Sequence, residues 1–405
     1  MASSFKKIME FNKNAPEHLM KIKLKALAES PFRFYRGTAH LFAEDFSTMS
    51  SAKPKIKVWL CGDLHLENFG SYKGENRLVY FDLNDFDESV LGMPEAEMAR
   101  FVTSILISSE MMDVSPIITN KIVREAVDAY VEAIAKRKAY MLESELAHGV
   151  FKKYFEQVST RDRQEFIGKR TDKHKGHLRL KIDDIHFLEI DNDLKNSLFD
   201  TLTGLLSKQE NYENFVFSDA AFRIAGTGSL GLERYCVLCY SKTRGKHYLL
   251  DVKEAGKPCL APFTDAKQPK FKHDAERIIT AGNLLQFSPP AFLSAVEMKG
   301  KWFMVKELQP VSDKMSLPEL GSDPKSFALV TAQMGRLAAY AHLRSSGHFG
   351  ASTADELVDY VTKKMDVDAL VEVCYELAKK NKKYFKEFND KMKKKGAVKD
   401  NEASA

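Results

Sequence analysis

The stretch at 60–88, LCGDLHLENFGSYKGENRLVYFDLNDFDE, constrains this chain more than any other. An apolar run, VWL, breaks at Gly62 and Asp63 into a polar loop; a second run at 78–83 ends among Asp82, Asp85, Asp87 and Glu88. Short apolar runs bounded by Gly, Asp and Asn read as strands that bring their polar ends to one place. Carboxylates this close repel unless a cation sits among them. Mg²⁺ prefers oxygen ligands and commonly takes one or two carboxylates together with substrate phosphates. Asp-x-His-x-x-Asn followed by an acidic cluster therefore reads as a magnesium and phosphate site. Asn68, Asp85, Asp82 and Asp87 are the candidate ligands. The competing reading is a carboxylate-rich hairpin turn facing solvent.

A second informative block lies far downstream. Residues 215–255 read as three strands, at 215–225, 232–241 and 247–254. The first turn is GTGSLG at 226–231, and a strand with Tyr235, Val237 and Tyr240 follows it. A dinucleotide-binding fingerprint opens a helix instead. The turn resembles the kinase-type glycine hairpin over nucleotide phosphates, which implies Gly226, Gly228, Ser229 and Gly231 as contacts; the competing reading is a glycine-rich hairpin with no ligand. Lys253 shares a strand face with Leu249 and Asp251, which lets it point beneath that hairpin. Cys236 and Cys239 sit on the same strand, three apart, so they face opposite sides and read as core cysteines, not a zinc pair. A helical pattern at 273–287, a strand pair at 292–298 and 301–308, and a long helix at 326–345 complete this half. His342 reads as a structural residue near the end of that helix.

The remaining segments are less specific. Residues 1–30 read as helix, followed by SPFRFYRG, whose Arg36 either approaches a phosphate or stacks on Phe34 or Tyr35. Helical patterns cover 97–111 and 117–145. The basic segment 161–175 reads as an exposed loop or hairpin, or as a grip for an anionic substrate. Lys379 opens a basic amphipathic segment running to 395, read as a solvated last helix. The net charge is only +5, from 61 basic and 56 acidic residues, so charge does not argue for nucleic acid. No apolar run reaches the roughly 18 residues of a membrane span, and the first residues lack the apolar core of a signal peptide. Five cysteines without framework spacing fit a reducing, cytoplasmic setting.

Several of these parts resemble those of kinases. Asp63 and Asn68 are five apart, as in the catalytic loop where the Asp accepts a hydroxyl proton and the Asn holds metal. The GDLH at 62–65 resembles the His-Gly-Asp-Leu-His loop of aminoglycoside phosphotransferase-like kinases, with Cys61 where that loop has His. Lys253, in VKEA, resembles the lysine of the third kinase strand; Glu276 then stands where a helix glutamate pairs with it. MVKELQP at 304–310 resembles the hinge, which would bring backbone groups of Glu307 and Leu308 to adenine. The helix at 326–345 resembles the one that leads into a kinase catalytic loop.

The order of these parts is not that of a kinase, because the catalytic-loop block precedes the glycine block. Moving it behind restores the kinase order, so the resemblance implies an α+β, two-lobed, circularly permuted protein-kinase-like fold. The corresponding segments are an N-terminal helical extension at 1–50, a catalytic-loop and metal part of the helical lobe at 51–214, a strand-rich nucleotide lobe at 215–310, and the rest of the helical lobe with a basic tail at 311–405. SPFRFYRG, GDLHLENFG, FDLNDFDES, GTGSLG and VKEA in this order closely resemble the bacterial domain-of-unknown-function 2252 family, over residues 30–347. After the acidic cluster that family has Trp then Asp; this chain has Ala96 and Glu97, which still allows Glu97 to brace the catalytic loop.

The resemblance implies ATP and Mg²⁺ as cofactors and an acceptor the sequence does not name. It identifies no nucleic-acid or membrane partner and leaves the oligomeric state open. Three other readings compete with phosphoryl transfer. They are AMP transfer on the same fold, a metallophosphoesterase suggested by Asp63-x-His65, and a non-catalytic nucleotide-binding scaffold.

Overall fold

Eighteen residues after Met93 form the helix Pro94–Met111, with proline in its first turn and almost every side chain buried. A helix buried on all sides belongs at the centre of a core, and the other helices gather around this one. The structure is a computed structural model that describes residues 3–49, 56–144, 147–209, 212, 214–228, 230–309 and 323–402, with side chains of the last helix described to 394. Pro116–Ala135 and Pro324–Ser345 begin the same way, on a proline behind a capping Ser115 or Asp323. These two helices cross closely at Gly335, where a Cβ would lie 2.3 Å from the Ala126 carbonyl oxygen. The last helix, Val367–Glu402, runs along Pro94–Met111 and the N-terminal helices. Its Phe388 is buried with Phe5, Ile8, Leu27 and Phe34, and Tyr384, Phe385 and Met392 pack on that cluster. The aromatic stripe of the basic segment is therefore internal packing. No helix among the described residues is long and apolar enough to cross a membrane.

The N-terminal region is four helices, Ser4–Phe11, Glu17–Ala28, Pro31–Gly37 and Ala39–Met49. Pro16 breaks the single helix expected at 1–30. SPFRFYRG is itself helical, with the Ser30 hydroxyl accepting from the Arg33 amide. His40, on the fourth of these helices, stacks on Phe11 at 4.1 Å with both ring nitrogens buried and without a partner. Burial, helped by the Lys23 charge, pushes its pKa down to about 3. The folded chain therefore keeps His40 neutral while the unfolded chain protonates it below about 6.5. Its contribution to stability is complete above that pH and is lost as pH falls towards 3. His40→Phe is expected to shift the acid-unfolding midpoint to lower pH, read by far-UV circular dichroism; an unchanged midpoint would contradict the assignment.

The strand-rich part is an antiparallel sheet in the order Ser294–Met298, Lys301–Glu307, Lys246–Glu254, Arg234–Ser241, Phe215–Arg223, Phe187–Leu188. The three strands expected at 215–254 are present, with ends moved by at most two residues. With 51% helix and 18% strand, largely segregated along the chain, the fold is α+β.

Cys236 and Cys239 do face opposite sides. Cys239 packs with Leu198, Leu202 and Leu206 of the helix Asn192–Leu206, and Cys236 with Ile167, Leu180 and Phe187. All five cysteines are free and buried. These two apolar clusters join residues from both sides of position 214. Ile167, Leu180, Phe187, Leu198, Leu202 and Leu206, all before residue 214, are buried in clusters with residues of the sheet. The basic segment forms the helix Arg163–Gly168 and a hairpin of Thr171–His174 with His177–Leu180, whose tip is exposed.

Candidate functional site

Gly62 fixes where the two acidic runs meet. Its φ is +95°, and a Cβ there would lie 1.9 Å from the Glu88 carbonyl oxygen, so only glycine allows this approach. The strand Val58–Leu60 pairs with Val90–Gly92 on the far side of the acidic loop. Glu97, from the central helix, accepts from the amides of Cys61 (2.9 Å) and Gly62 (3.2 Å). It braces the loop as the sequence suggested. Burial pushes its pKa up to about 7.

Asp63 follows this brace. Its Oδ1 accepts from Arg100 Nε at 2.8 Å, and its Oδ2 lies 3.8 Å from His65 Nε2. Arg100 is fully buried, donates also to the Tyr35 carbonyl (2.8 Å) and lies 3.6 Å over the Tyr35 ring. Burial raises the Asp63 pKa; Arg100 and Arg36 pull it down, and Asp85 adds a smaller push upward. The Asp63 carboxylate is thus held in place by one cation and poised to gain a proton more readily than a free one.

The strands Phe69–Lys73 and Val79–Leu83 form a hairpin whose ends bring Asn68 to Asp85. Asn68 Nδ2 donates to the carbonyls of Asp63 (3.1 Å) and Asp85 (3.3 Å). Its Oδ1 is buried with no partner, and so is Oδ1 of Asp87. The Asp85 carboxylate is exposed. The surrounding protein opposes its ionisation, but Lys253 and Lys306 outweigh that and hold it well below the ordinary carboxylate range. Burial and the Asp85 charge push Asp87 up, with Lys253 pulling against them.

Lys253 is buried, forms an ion pair with Asp87 Oδ2 and lies 3.7 Å from Asp85 Oδ2. The second strand after the glycine turn, Lys246–Glu254, therefore meets the acidic loop directly, although 166 residues separate Lys253 from Asp87. The glycine turn has positive φ at Gly226 (+80°) and Gly231 (+121°); Ser229 lies outside the described residues. The turn rests on the N-terminal helices. Lys23 Nζ donates to the carbonyls of Gly228 (2.9 Å) and Leu230 (3.2 Å), and a Cβ on Gly228 would lie 3.6 Å from the Arg36 carbonyl oxygen. Arg36 in turn pairs with Glu67 and lies 3.1 Å from His65. Burial brings the Lys23 pKa down to about 8.

Among the described residues no three His, Cys, Asp or Glu side chains gather as a metal cluster. The oxygen donors brought together are Asp85, Asp87 and Asn68. That set suits Mg²⁺, whose remaining positions go to phosphate and water, and two of its oxygens lack any partner.

A family model described as "Uncharacterized protein conserved in bacteria (DUF2252)" matches residues 16–391. The chain belongs to the DUF2252 family. No curated protein and no solved structure matches it.

Four of the residues singled out in the sequence of this DUF2252 chain, Asp82, Glu276, Glu307 and Leu308, have other partners in the structure. Asp82 is not a free ligand: its Oδ2 accepts from Arg344 (2.9 Å) and the Phe287 amide (3.0 Å), and its Oδ1 from the Leu83 amide (2.9 Å). It anchors the hairpin to the helix Pro324–Ser345. Glu276 does not pair with Lys253. It accepts from the Lys272 amide (2.7 Å) at the start of its own helix, Asp274–Leu285, while Lys253 is taken by the acidic loop. Arg277 makes that helix's contact with the site instead, donating to the carbonyls of Asp87 (2.8 Å), Ser89 (2.8 Å) and Gly256 (2.9 Å).

The hinge amides are also committed. Glu307 donates to the Ala291 carbonyl (3.0 Å) and Leu308 to the Leu249 carbonyl (2.8 Å), and the Glu307 carboxylate grips Arg77 at 2.6 and 3.1 Å. Neither amide is free for adenine, and Pro310 lies outside the described residues. His342 is structural as expected, with Nδ1 2.9 Å from the Tyr130 hydroxyl and a pKa pushed by burial to about 3.

Sequence reasoning missed a cationic strip beside Lys253. In register, Lys253 opposes Arg234 on one neighbouring strand, and Asp251 opposes Lys306 on the other. Cross-strand partners share a face. Arg234 grips Asp251 at 2.8 and 2.5 Å, Arg223 joins at 3.0 Å, and Lys306 donates to the Asn84 carbonyl at 3.2 Å. The available signal was the pairing of neighbouring strands, which puts Arg234 level with Lys253.

Proposed function

We propose that this protein is an ATP- and Mg²⁺-dependent phosphotransferase with a two-lobed, circularly permuted protein-kinase-like fold, working on an acceptor hydroxyl. The observation that carries the reading is the meeting of Lys253 with Asp85 and Asp87 beside the unpartnered Asn68 oxygen. In this reading Asn68, Asp85 and Asp87 would hold Mg²⁺, which would draw charge off the transferring phosphate. Lys253 binds the polyphosphate, and the glycine turn, set in place by Lys23, covers it. Asp63 orients the acceptor hydroxyl and takes its proton, with Arg100 fixing the carboxylate.

The order of glycine hairpin, lysine strand, helix and strand pair supports the kinase-like part. The permutation draws support from Val58–Leu60, which runs against the helix Pro324–Ser345, with Trp59 Nε1 donating to the His348 carbonyl at 3.2 Å. A kinase chain would make a covalent connection there. The free buried cysteines fit the proposed cytoplasmic location.

One observation favours AMP transfer as a second reading. Next to Lys253 the sheet face carries Arg234, Arg223 and Lys306 around a single Asp251. Its apolar continuation at Leu238, Leu249 and Leu308 is already covered by Ile167, Leu180 and Phe187. A strip of cations there suits phosphates better than a purine, which fits a nucleotide bound with its polyphosphate pointing away from the acidic loop.

ATP labelled at either the α or the γ phosphorus, incubated with the protein and a cell extract, separates the readings. Movement of γ label into an acceptor supports phosphoryl transfer, and movement of α label with release of pyrophosphate supports AMP transfer. No label moved beyond that seen with Asp63→Asn would refute both.

A further inference from the structure

Away from Lys253, a cavity of about 500 Å³ opens between the helix Arg163–Gly168, the strand Phe69–Lys73 and the sheet at His247, Tyr248 and residues 307–309. This is the size of a small-molecule pocket. Its wall holds five Lys or Arg side chains against three carboxylates, and those carboxylates are already engaged. Glu307 pairs with Arg77 and Arg163, Glu165 pairs with Lys169 at 2.6 Å, and Asp162 caps its helix by accepting from the Gln164 amide at 2.8 Å. Lys73 and Arg170 have no carboxylate partner among the described residues. Burial pushes both their pKa values down, and the charges of Arg163 and Arg77 push Lys73 further. Gln309 adds a buried Nε2 with no partner. Arg163 lies 4.4 Å over the Tyr248 ring and Arg170 4.0 Å over the Phe166 ring, so flat groups already stack here.

We propose that this cavity is a second binding site, for a small molecule that carries a phosphate or carboxylate on a flat ring. The acid group lies between Lys73 and Arg170, neutralising the cations the protein leaves uncompensated. The ring packs against Phe166 and Tyr248. The site is separate from the Lys253 site. His247 and Tyr248 precede Lys253 by six and five residues on an extended strand, a distance of roughly 16 to 20 Å. Leu249, clustered with Leu308 and Ile167 of the cavity wall, lies between Tyr248 and Lys253 on that strand. Phe69–Lys73 begins directly after Asn68, so an occupant of the cavity lies on the same hairpin as the acidic site.

Calorimetric titration of the full chain with phenyl phosphate, benzoate and inorganic phosphate tests this. Phenyl phosphate or benzoate is expected to bind more tightly than inorganic phosphate, and the tighter of the two identifies the acid group. Arg170→Glu and Lys73→Glu should each weaken that binding at least about tenfold, while Lys253→Met leaves it unchanged. Lys73 is exposed, so its variant reports on binding even where Arg170→Glu perturbs the fold. No binding at millimolar ligand, or binding indifferent to both charge reversals, would overturn the proposal. Loss of binding in Lys253→Met together with displacement by ATP would overturn it too, because the cavity would then belong to the nucleotide site. None of these readouts depends on ATP turnover.

Discussion

Arg100→Met is expected to lower the stability of the fold by about 3–5 kcal/mol, the usual cost of removing one partner from a buried ion pair. Methionine fills similar space, so the loss reports on charge more than on packing. Arg100 is fully buried and makes one ion pair, with Asp63, donates also to the Tyr35 carbonyl, and lies over the Tyr35 and Phe42 rings. Removing it leaves a partly buried carboxylate with only Arg36 and His65 nearby. Urea denaturation is the measurement, with a lower midpoint at unchanged slope. Adding Asp63→Asn to Arg100→Met should recover part of the loss, since the orphaned charge disappears with its cause. A single variant within about 1 kcal/mol of the parent, or a double variant whose losses simply add, would show that the pair does not hold the loop.

Much of this site was legible because its parts are local. The acidic loop, the glycine turn and Lys253 each sit in short segments whose alternation and turn residues announce strands and hairpins. The kinase-like order of parts put the glycine block opposite the acidic loop with a metal and polyphosphate between them, but the direct ion pair of Lys253 with Asp87 was not foreseen.

The cations on helices were not legible. Lys23, Arg100 and Arg277 lie in ordinary helical patterns, and their roles depend on what each helix packs against. Glu276 misled because a carboxylate in the first turn of a helix is equally suited to a local amide, and the Lys272 amide is much nearer in the chain. Asp82 misled for a related reason. It belongs to the acidic cluster in sequence, but its strand turns it towards Arg344, a residue 262 positions away. The hinge amides were lost to Ala291 and Leu249, pairings set by tertiary structure and invisible in the residues around Glu307.

Lys253→Met is expected to weaken ATP binding by about 10- to 100-fold, the worth of 1.5–3 kcal/mol for a hydrogen bond to a charged group. The lysine is buried and already bonded to the acidic loop, so it lies where a metal-bound polyphosphate would complete the charge balance. The same change leaves Asp85 and Asp87 facing each other without their cation, and the pair should hold a proton to higher pH than in the parent. Lys253→Arg keeps the charge but not the compact head, and is expected to recover only part of the affinity. Equal ATP affinity for the parent and Lys253→Met would remove Lys253 from the site.

The most direct measurement is a calorimetric titration of ATP into the full chain, with and without Mg²⁺, repeated on Asn68→Ala. Asn68 contributes the unpartnered oxygen beside the acidic loop, and alanine deletes that oxygen without adding charge. The expected result is ATP binding that strengthens with Mg²⁺ in the parent and loses that Mg²⁺ dependence in Asn68→Ala. Absence of ATP binding, or binding equally tight with and without Mg²⁺ in both proteins, would contradict a metal and phosphate site built from Asn68, Asp85, Asp87 and Lys253.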